Sequence, residues 1–240
     1  MSNVILVASG KGGTGKTMFS VNLGCAISSF GKKVVIVDMD MGMRNLDMYL
    51  GLEGQVVYDT YDALKGICNT KQALIKDDNF KNVHIMAASP INQQEEVLEE
   101  DAGKLLEELK SKFDYIIIDG PPGIGKNIEL VSPFIDIGIV VLTPDYATIR
   151  DADSVDSFLL RRRVKHRYYV VNKAVLDLEK RGLEVKLDEI DTIMKSKPLG
   201  AIAYDENIHI STNIGVPIVS KPDAYITKNF LKIAKRIMEV

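Results

Sequence analysis

Residues 10–17 read Gly-Lys-Gly-Gly-Thr-Gly-Lys-Thr, and this octet constrains the fold more than any other stretch of the chain. Glycine, four residues, then Gly15-Lys16-Thr17 is the spacing in which backbone N–H groups surround a polyphosphate, a lysine reaches its outer oxygens and a hydroxyl ligates Mg²⁺. Glycine suits the loop because it tolerates φ > 0 and lets the backbone approach an anion closely. The chemistry also needs a strand before the loop and a helix after it, so that the helix N-terminus points at the phosphates. Val4-Ile5-Leu6-Val7-Ala8 and the segment Lys16 to Ser29 supply both. The expected nucleotide contacts are Gly10, Lys11, Gly12, Gly13, Thr14, Gly15, Lys16, Thr17 and Met18.

Further apolar runs recur at Val34 to Val37, Val83 to Ala88, Tyr115 to Ile118, Ile137 to Leu142, Tyr168 to Val171 and Leu199 to Ala203, separated mostly by helix-length amphipathic segments. That alternation predicts an α/β fold: a doubly wound, mostly parallel sheet with helices on both faces. No repeat or Pro/Gly/Ser linker marks a boundary, so residues 1–240 are expected to form a single domain. The net charge of -3 gives no global attraction to nucleic acid or an anionic membrane, so either would need a local patch. Neither Cys25 nor Cys68 belongs to a metal-ligand spacing, and His84, His166 and His209 show none either, so reduced cytosolic thiols and structural or exposed histidines are expected. No secretory signal or transmembrane span is legible, which points to the cytoplasm.

Three aspartates close apolar runs. Asp38 and Asp40 lie two positions apart and leave the same face of their strand, and Asp119 ends Tyr115-Ile116-Ile117-Ile118. Because ligands in such sheets sit at the carboxyl ends of strands, all three belong beside the phosphate loop, with Asp119, Asp38 and Thr17 as candidate Mg²⁺ residues. Gly120-Pro121-Pro122-Gly123-Ile124-Gly125 follows, and its dihedrals are expected to be set by sterics rather than by sheet pairing, either as a γ-phosphate switch or as a tight turn into a helix. Asn172, at a later strand end, could pair with an adenine edge or simply form a turn.

The octet, with its second lysine at position 11, looks like the deviant Walker A motif of the MinD/ParA family. Asp40-Met41-Gly42-Met43-Arg44-Asn45-Leu46-Asp47 resembles a segment of its MinD branch, and Val56-Val57-Tyr58-Asp59, Gln72-Ala73-Leu74-Ile75-Lys76-Asp77 and Arg150-Asp151-Ala152-Asp153 extend the likeness along the chain. The resemblance implies an ATP- and Mg²⁺-dependent ATPase whose two subunits close face to face. It assigns Lys11 to the partner subunit's phosphates, in the manner of an arginine finger, and Lys16 to the phosphates of its own site. It likewise gives Thr17 to Mg²⁺, Asp40 to the attacking water, Asp119 to the outer shell of the metal, Asn172 to adenine, and Arg44 and Asn45 to a dimer or partner surface. It further implies a homodimer formed on ATP binding, a regulatory protein activator and transient, peripheral contact with the inner face of the cell membrane, with nucleic acid not expected.

The chain departs from the family pattern at Met18, where a second Thr is usual. It also departs at Gly120 to Gly125, where Ser-Pro-Ala-Gly-Ile-Glu is common, and at Ala203-Tyr204, where Pro is usual. Family members also tend to carry an amphipathic membrane tail after the last helix. Here Ile226, Phe230, Ile233 and Ile237 form a stripe opposed by Lys228, Lys232 and Lys235, read as a helix docked on the sheet in preference to one lying on a membrane. A basic cluster, Arg161-Arg162-Arg163-Val164-Lys165-His166-Arg167, is dense enough to attract lipid or DNA phosphates, with a solvated helix end as its plainer reading. The expected function is a dimerising ATPase switch that positions the division site. The alternatives are a nucleotide-gated scaffold with negligible hydrolysis, and a flagellar-placement or ParA-type partitioning ATPase.

Overall fold

Apolar residues alternate between two cores along every central strand, and this alternation builds the molecule. The computed structural model describes residues 2–91 and 96–240. Its strands are β1 (Asn3–Ser9), β2 (Val34–Asp38), β3 (Ile75–Lys76), β4 (Val83–Met86), β5 (Tyr115–Pro122), β6 (Ile137–Leu142), β7 (His166–Ala174) and β8 (Lys197–Ala203). They form one sheet in the order β3-β4-β2-β5-β1-β6-β7-β8, in which only the β3–β4 pair is antiparallel. The helices are α1 (Lys16–Ser28), α2 (Thr60–Leu64), α3 (Thr70–Ala73), α4 (Glu99–Lys110), α5 (Lys126–Val131), α6 (Tyr146–Arg161), α7 (Leu176–Lys180), α8 (Leu187–Ile193), α9 (Glu206–Asn213) and α10 (Tyr225–Met238).

Val4, Leu6 and Ala8 of β1 face a core shared with α4, α5, α6 and α8, whereas Ile5 and Val7 face α1 and α10. Sheet faces of this kind are covered by the crossover helices themselves, giving the doubly wound fold that the sequence pattern predicts. Helix α1 is buried on nearly every side because α10 lies over it, with Phe19 and Phe230 ring centroids 5.8 Å apart. The stripe Ile226, Phe230, Ile233 and Ile237 is buried in that contact, so it is a docked face. Among the described residues no helix is long and apolar enough to cross a membrane.

The structure departs from the sequence reading at two places. The short edge strand β3 is absent from the apolar-run pattern, since only Ile75 of its two residues faces a core. The Gly-Pro segment is not free of sheet pairing: β5 continues through Gly120 and Pro121 to Pro122, which pairs with Ser9 after a register shift. The prolines are tolerated at a strand end, where few ladder N–H groups are required.

Candidate functional site

The phosphate loop leaves β1 at the carboxyl end of the sheet, between the ends of β5 and β6, and opens onto a cleft of about 1000 Å³. Helix α1 is preceded by Gly15 as its capping residue, which offers no side-chain cap, so its first N–H groups are left for an anion in the cleft. Gly15 has φ 90°, and a Cβ there would sit 2.3 Å from the Asn172 amide nitrogen. At Gly10 the constraint is contact: an added Cβ would lie 2.4 Å from the Asp151 carbonyl carbon, so the loop entrance rests directly on α6.

Asp119 is the hub behind the loop. It is fully buried, accepts hydrogen bonds from Thr17 Oγ1 at 2.6 Å and Ser20 Oγ at 2.9 Å, and faces the Lys16 ammonium at 3.4 Å. Asp38 is its register partner on β2. Burial, and then the Asp119 charge, push the Asp38 carboxyl up to about 7, against the opposing effects of the Asp40 N–H and Lys16. Asp38 accepts from the backbone N–H groups of Asp40 at 2.9 Å and Leu46 at 3.4 Å, so it anchors the loop that carries Asp40. Half-buried Asp40 lines the cleft, and burial raises its carboxyl as well.

A buried acid raised in this way lowers stability as pH increases. The unfolded chain releases the Asp38 proton near 3.8, whereas the folded, nucleotide-free protein holds it up to about 7. The stabilising contribution is therefore full below the lower value and lost as pH rises through the upper one. Urea denaturation across this window should show wild type losing stability relative to Asp38→Asn as pH increases. A stability difference independent of pH would contradict the assignment.

Asn172 ends the regular part of β7. Its Nδ2 donates to the Thr14 carbonyl at 2.7 Å, while its buried Oδ1 has no partner in the structure, as does the buried Thr14 hydroxyl. Asn172 is one of the residues lining the cleft, and an amide acceptor left without a partner among the described residues suits an amino group of a base. Lys11 stands at the rim, its side chain 46% exposed, with Nζ 3.2 Å from Asp151 Oδ2, itself 37% exposed. Met18 is buried against the α1–α10 core and lines the cleft through its inner edge. Arg44 is held by the buried Asp47 through Nε at 2.6 Å and donates to the Glu53 carbonyl, while Asn45 lines the cleft.

Three further residues shape the site. Ser20, one turn after Lys16, could have been found from its i+4 spacing. Lys173, at φ 60°, donates to the Gly13 carbonyl at 2.8 Å and braces the loop from outside, a role with no spacing signature. Asp151 lies within a segment that the family resemblance already marked. The hard oxygen donors of Thr17 and Asp119 fit Mg²⁺, which takes few protein ligands and completes its shell with phosphate and water. No cluster of three His, Cys, Asp or Glu suited to another metal exists among the described residues.

A parallel α/β sheet, an uncapped helix after a glycine-rich loop, a lysine beside a buried strand-end aspartate and a hydroxyl on that same aspartate define a P-loop nucleoside triphosphatase. A family model described as ParA, NUBPL iron-transfer P-loop NTPase, matches residues 1–238. The chain is 37% identical to the septum site-determining protein MinD of Bacillus subtilis, over 99% of this chain and 90% of that protein. It is 36% identical to MinD of Helicobacter pylori over 99% and 91%. Among solved structures, the MinC:MinD cell division complex of Aquifex aeolicus matches with a TM-score of 0.91 at 33% identity, covering 100% of this chain and 96% of that one. MinD of Pyrococcus horikoshii with Mg-ADP matches with a TM-score of 0.86 at 27% identity, covering 99% and 96%. The chain belongs to the MinD group of the ParA-type P-loop ATPases, whose nucleotide is ATP and whose metal is Mg²⁺.

Proposed function

We propose that this ATPase is a dimerising switch that positions the cell-division site, closing two subunits around ATP and opening them on hydrolysis. The observation that carries the reading is the contrast between its two loop lysines. Lys16 is buried and committed to its own site beside Asp119, while Lys11 sits at the rim, held by an exposed ion pair to Asp151 and near enough to Asp145 to act on its charge. Such surface pairs contribute little and are easily exchanged, so Lys11 is free to reach phosphates across a subunit boundary.

In this mechanism the loop N–H groups and Lys16 orient the phosphates, and Asn172 uses its orphaned Oδ1 to hold the adenine amino group. Thr17, with Asp119 behind it, would hold Mg²⁺, which when bound neutralises charge developing on the phosphate oxygens. Asp40 orients the attacking water and, with its raised pKa, accepts the proton. Asp38 positions Asp40 through the backbone instead of ligating metal, since its two oxygens already accept N–H groups of the switch loop. The carbonyl and carboxylate groups gathered by Arg44 stiffen the same loop, which is the surface offered to a protein activator. A MinC-type partner is proposed by likeness to the Aquifex complex, as is peripheral contact with the inner face of the membrane.

The test is the oligomeric state of Asp40→Ala, which should bind ATP without consuming it. Light scattering should report twice the monomer mass with Mg-ATP and the monomer mass with Mg-ADP. A variant that remains monomeric when saturated with Mg-ATP would refute the switch.

A further inference from the structure

Strand β7 carries a bulge at the point where it meets the phosphate loop. Its register on β8 pairs Val170 with Gly200 and Val171 with Ala201, then resumes at Ala174 with Ala203, so Asn172 and Lys173 together stand against Ile202 alone. Lys173 lies in the left-handed region at φ 60°, one of two non-glycine residues with positive φ among those described. Glycine is the usual occupant of a left-handed bulge position, and a lysine kept there is an outlier from which a function can be inferred. In an unbroken strand consecutive side chains leave opposite faces, and only one of the two could reach the loop. The bulge brings both to it: Asn172 Nδ2 donates to the Thr14 carbonyl at 2.7 Å, and Lys173 Nζ donates to the Gly13 carbonyl at 2.8 Å.

The two carbonyls belong to consecutive peptide units. Every described peptide bond is trans, so within each unit the N–H points the opposite way from the C=O. Holding the Gly13 and Thr14 carbonyls against β7 therefore turns the N–H groups of Thr14 and Gly15 away from it, and both residues line the cleft. Neither N–H makes a hydrogen bond within the described residues. Unpaired backbone donors at the start of a helix are phosphate ligands. The loop does not set their direction by itself, because Gly13 and Gly15, at φ 80° and 90°, are the residues with the widest choice of conformation. Of the two contacts that fix it, the one from Lys173 is charge-assisted and the stronger.

We infer that Lys173 is a positioning residue for the nucleotide: its ammonium fixes the Gly13–Thr14 peptide, with Asn172 fixing the next one, so that the loop donors are set for the inner phosphates before nucleotide arrives. The ammonium acts through the loop backbone and stays on the carbonyl. Loop N–H groups of this kind cradle the α- and β-phosphates, which ATP and ADP share, so the contribution of Lys173 is the same for both nucleotides. It is also the same in the ground state and the transition state, unlike the contribution proposed for Lys11. The inference rests on the nucleotide site and not on the dimerising switch, so an Asp40→Ala protein that stayed monomeric would leave it standing.

Three variants of the full chain test it. Lys173→Met removes the ammonium and keeps the length, Lys173→Gly removes it and also relieves the left-handed residue, and Lys173→Arg keeps a charged donor. Calorimetric titration should show Mg-ADP and Mg-ATP each bound about tenfold more weakly by the Met and Gly variants, the effect of losing one charge-assisted hydrogen bond, and within about threefold of wild type by the Arg variant. In steady-state hydrolysis the loss should fall on KM and not on kcat. The backbone amide resonances of Thr14 and Gly15 in the nucleotide-free protein should move in the Met and Gly variants and return in the Arg variant. Lys173→Gly should melt no lower than wild type, which separates weaker binding from instability. Wild-type affinity in Lys173→Met overturns the inference, as do nucleotide-free resonances that stay in place. Affinity restored in Lys173→Gly also overturns it, because the position would then matter only through backbone strain. A loss confined to Mg-ATP or to kcat overturns it as well, since the lysine would then act on the outer phosphate.

Discussion

Replacing Lys16 by methionine, which keeps the length and removes the charge, should weaken Mg-ATP binding by at least about a hundredfold, as expected when one member of a buried charged contact is removed. Lys16 is the cation that faces Asp119 inside the site, and its charge also holds down the Asp38 carboxyl on the neighbouring strand. Without it, two buried carboxylates lie side by side on β5 and β2 with no nearby cation, and breaking such a pair from one side costs about 3–5 kcal/mol. Part of that loss is relieved if Asp38 takes up a proton. The variant should therefore be most destabilised at high pH, where both acids are forced to ionise. Calorimetric titration with Mg-ATP measures the first effect. Thermal melting with and without nucleotide measures the second, because ATP should raise the melting temperature of wild type by mass action and leave that of Lys16→Met unmoved. Undiminished affinity in the variant would show that the loop N–H groups alone carry the phosphates.

Most of the sheet was legible because each buried strand is a run of apolar residues bounded by polar ones. The predicted Ile137 to Leu142 matches β6 throughout, and Lys16 to Ser29 overruns α1 by one residue. The pattern failed where burial is one-sided or brief, as at β3, and where a strand continues through residues that propensity assigns to turns, as at Pro121 and Pro122. In the site, the loop and the strand-end aspartates followed from spacing, since parallel sheets bring carboxyl ends together. Their division of labour did not. Asp38 and Asp40 were expected to share a strand face, but β2 ends at Asp38; Asp38 is turned into the backbone of the switch loop and Asp40, beyond the strand, lines the cleft, a difference set by the path of residues 39–46. Asn172 was ambiguous from sequence, and the structure fastens its Nδ2 to the Thr14 carbonyl of the loop, which places the side chain at the wall of the cleft.

Lys11→Ala should leave Mg-ATP affinity within a few-fold of wild type, because Lys16 and the loop N–H groups remain, yet lower the rate of hydrolysis by about 10³- to 10⁵-fold, the range for cationic fingers supplied in trans. The rim position of Lys11 gives this prediction its form. If the lysine acts across a subunit boundary, wild-type activity per subunit rises with protein concentration until dimers saturate, and Lys11→Ala stays low at every concentration. Mixing gives a sharper result. Lys11→Ala lacks the donated cation but keeps its own Asp40, whereas Asp40→Ala lacks the water-orienting acid but still donates Lys11. In a mixed dimer one site then has every part: its own Asp40 and the lysine of the other subunit. Random pairing makes half of the dimers mixed, with one complete site each, so activity should return to about a quarter of all sites although each variant alone is inactive. The same mixture should lose activity on dilution. A mixture no more active than its separate components would mean that Lys11 serves its own nucleotide, and the ion pair with Asp151 would then be a fixed part of the site instead of a contact released on dimerisation.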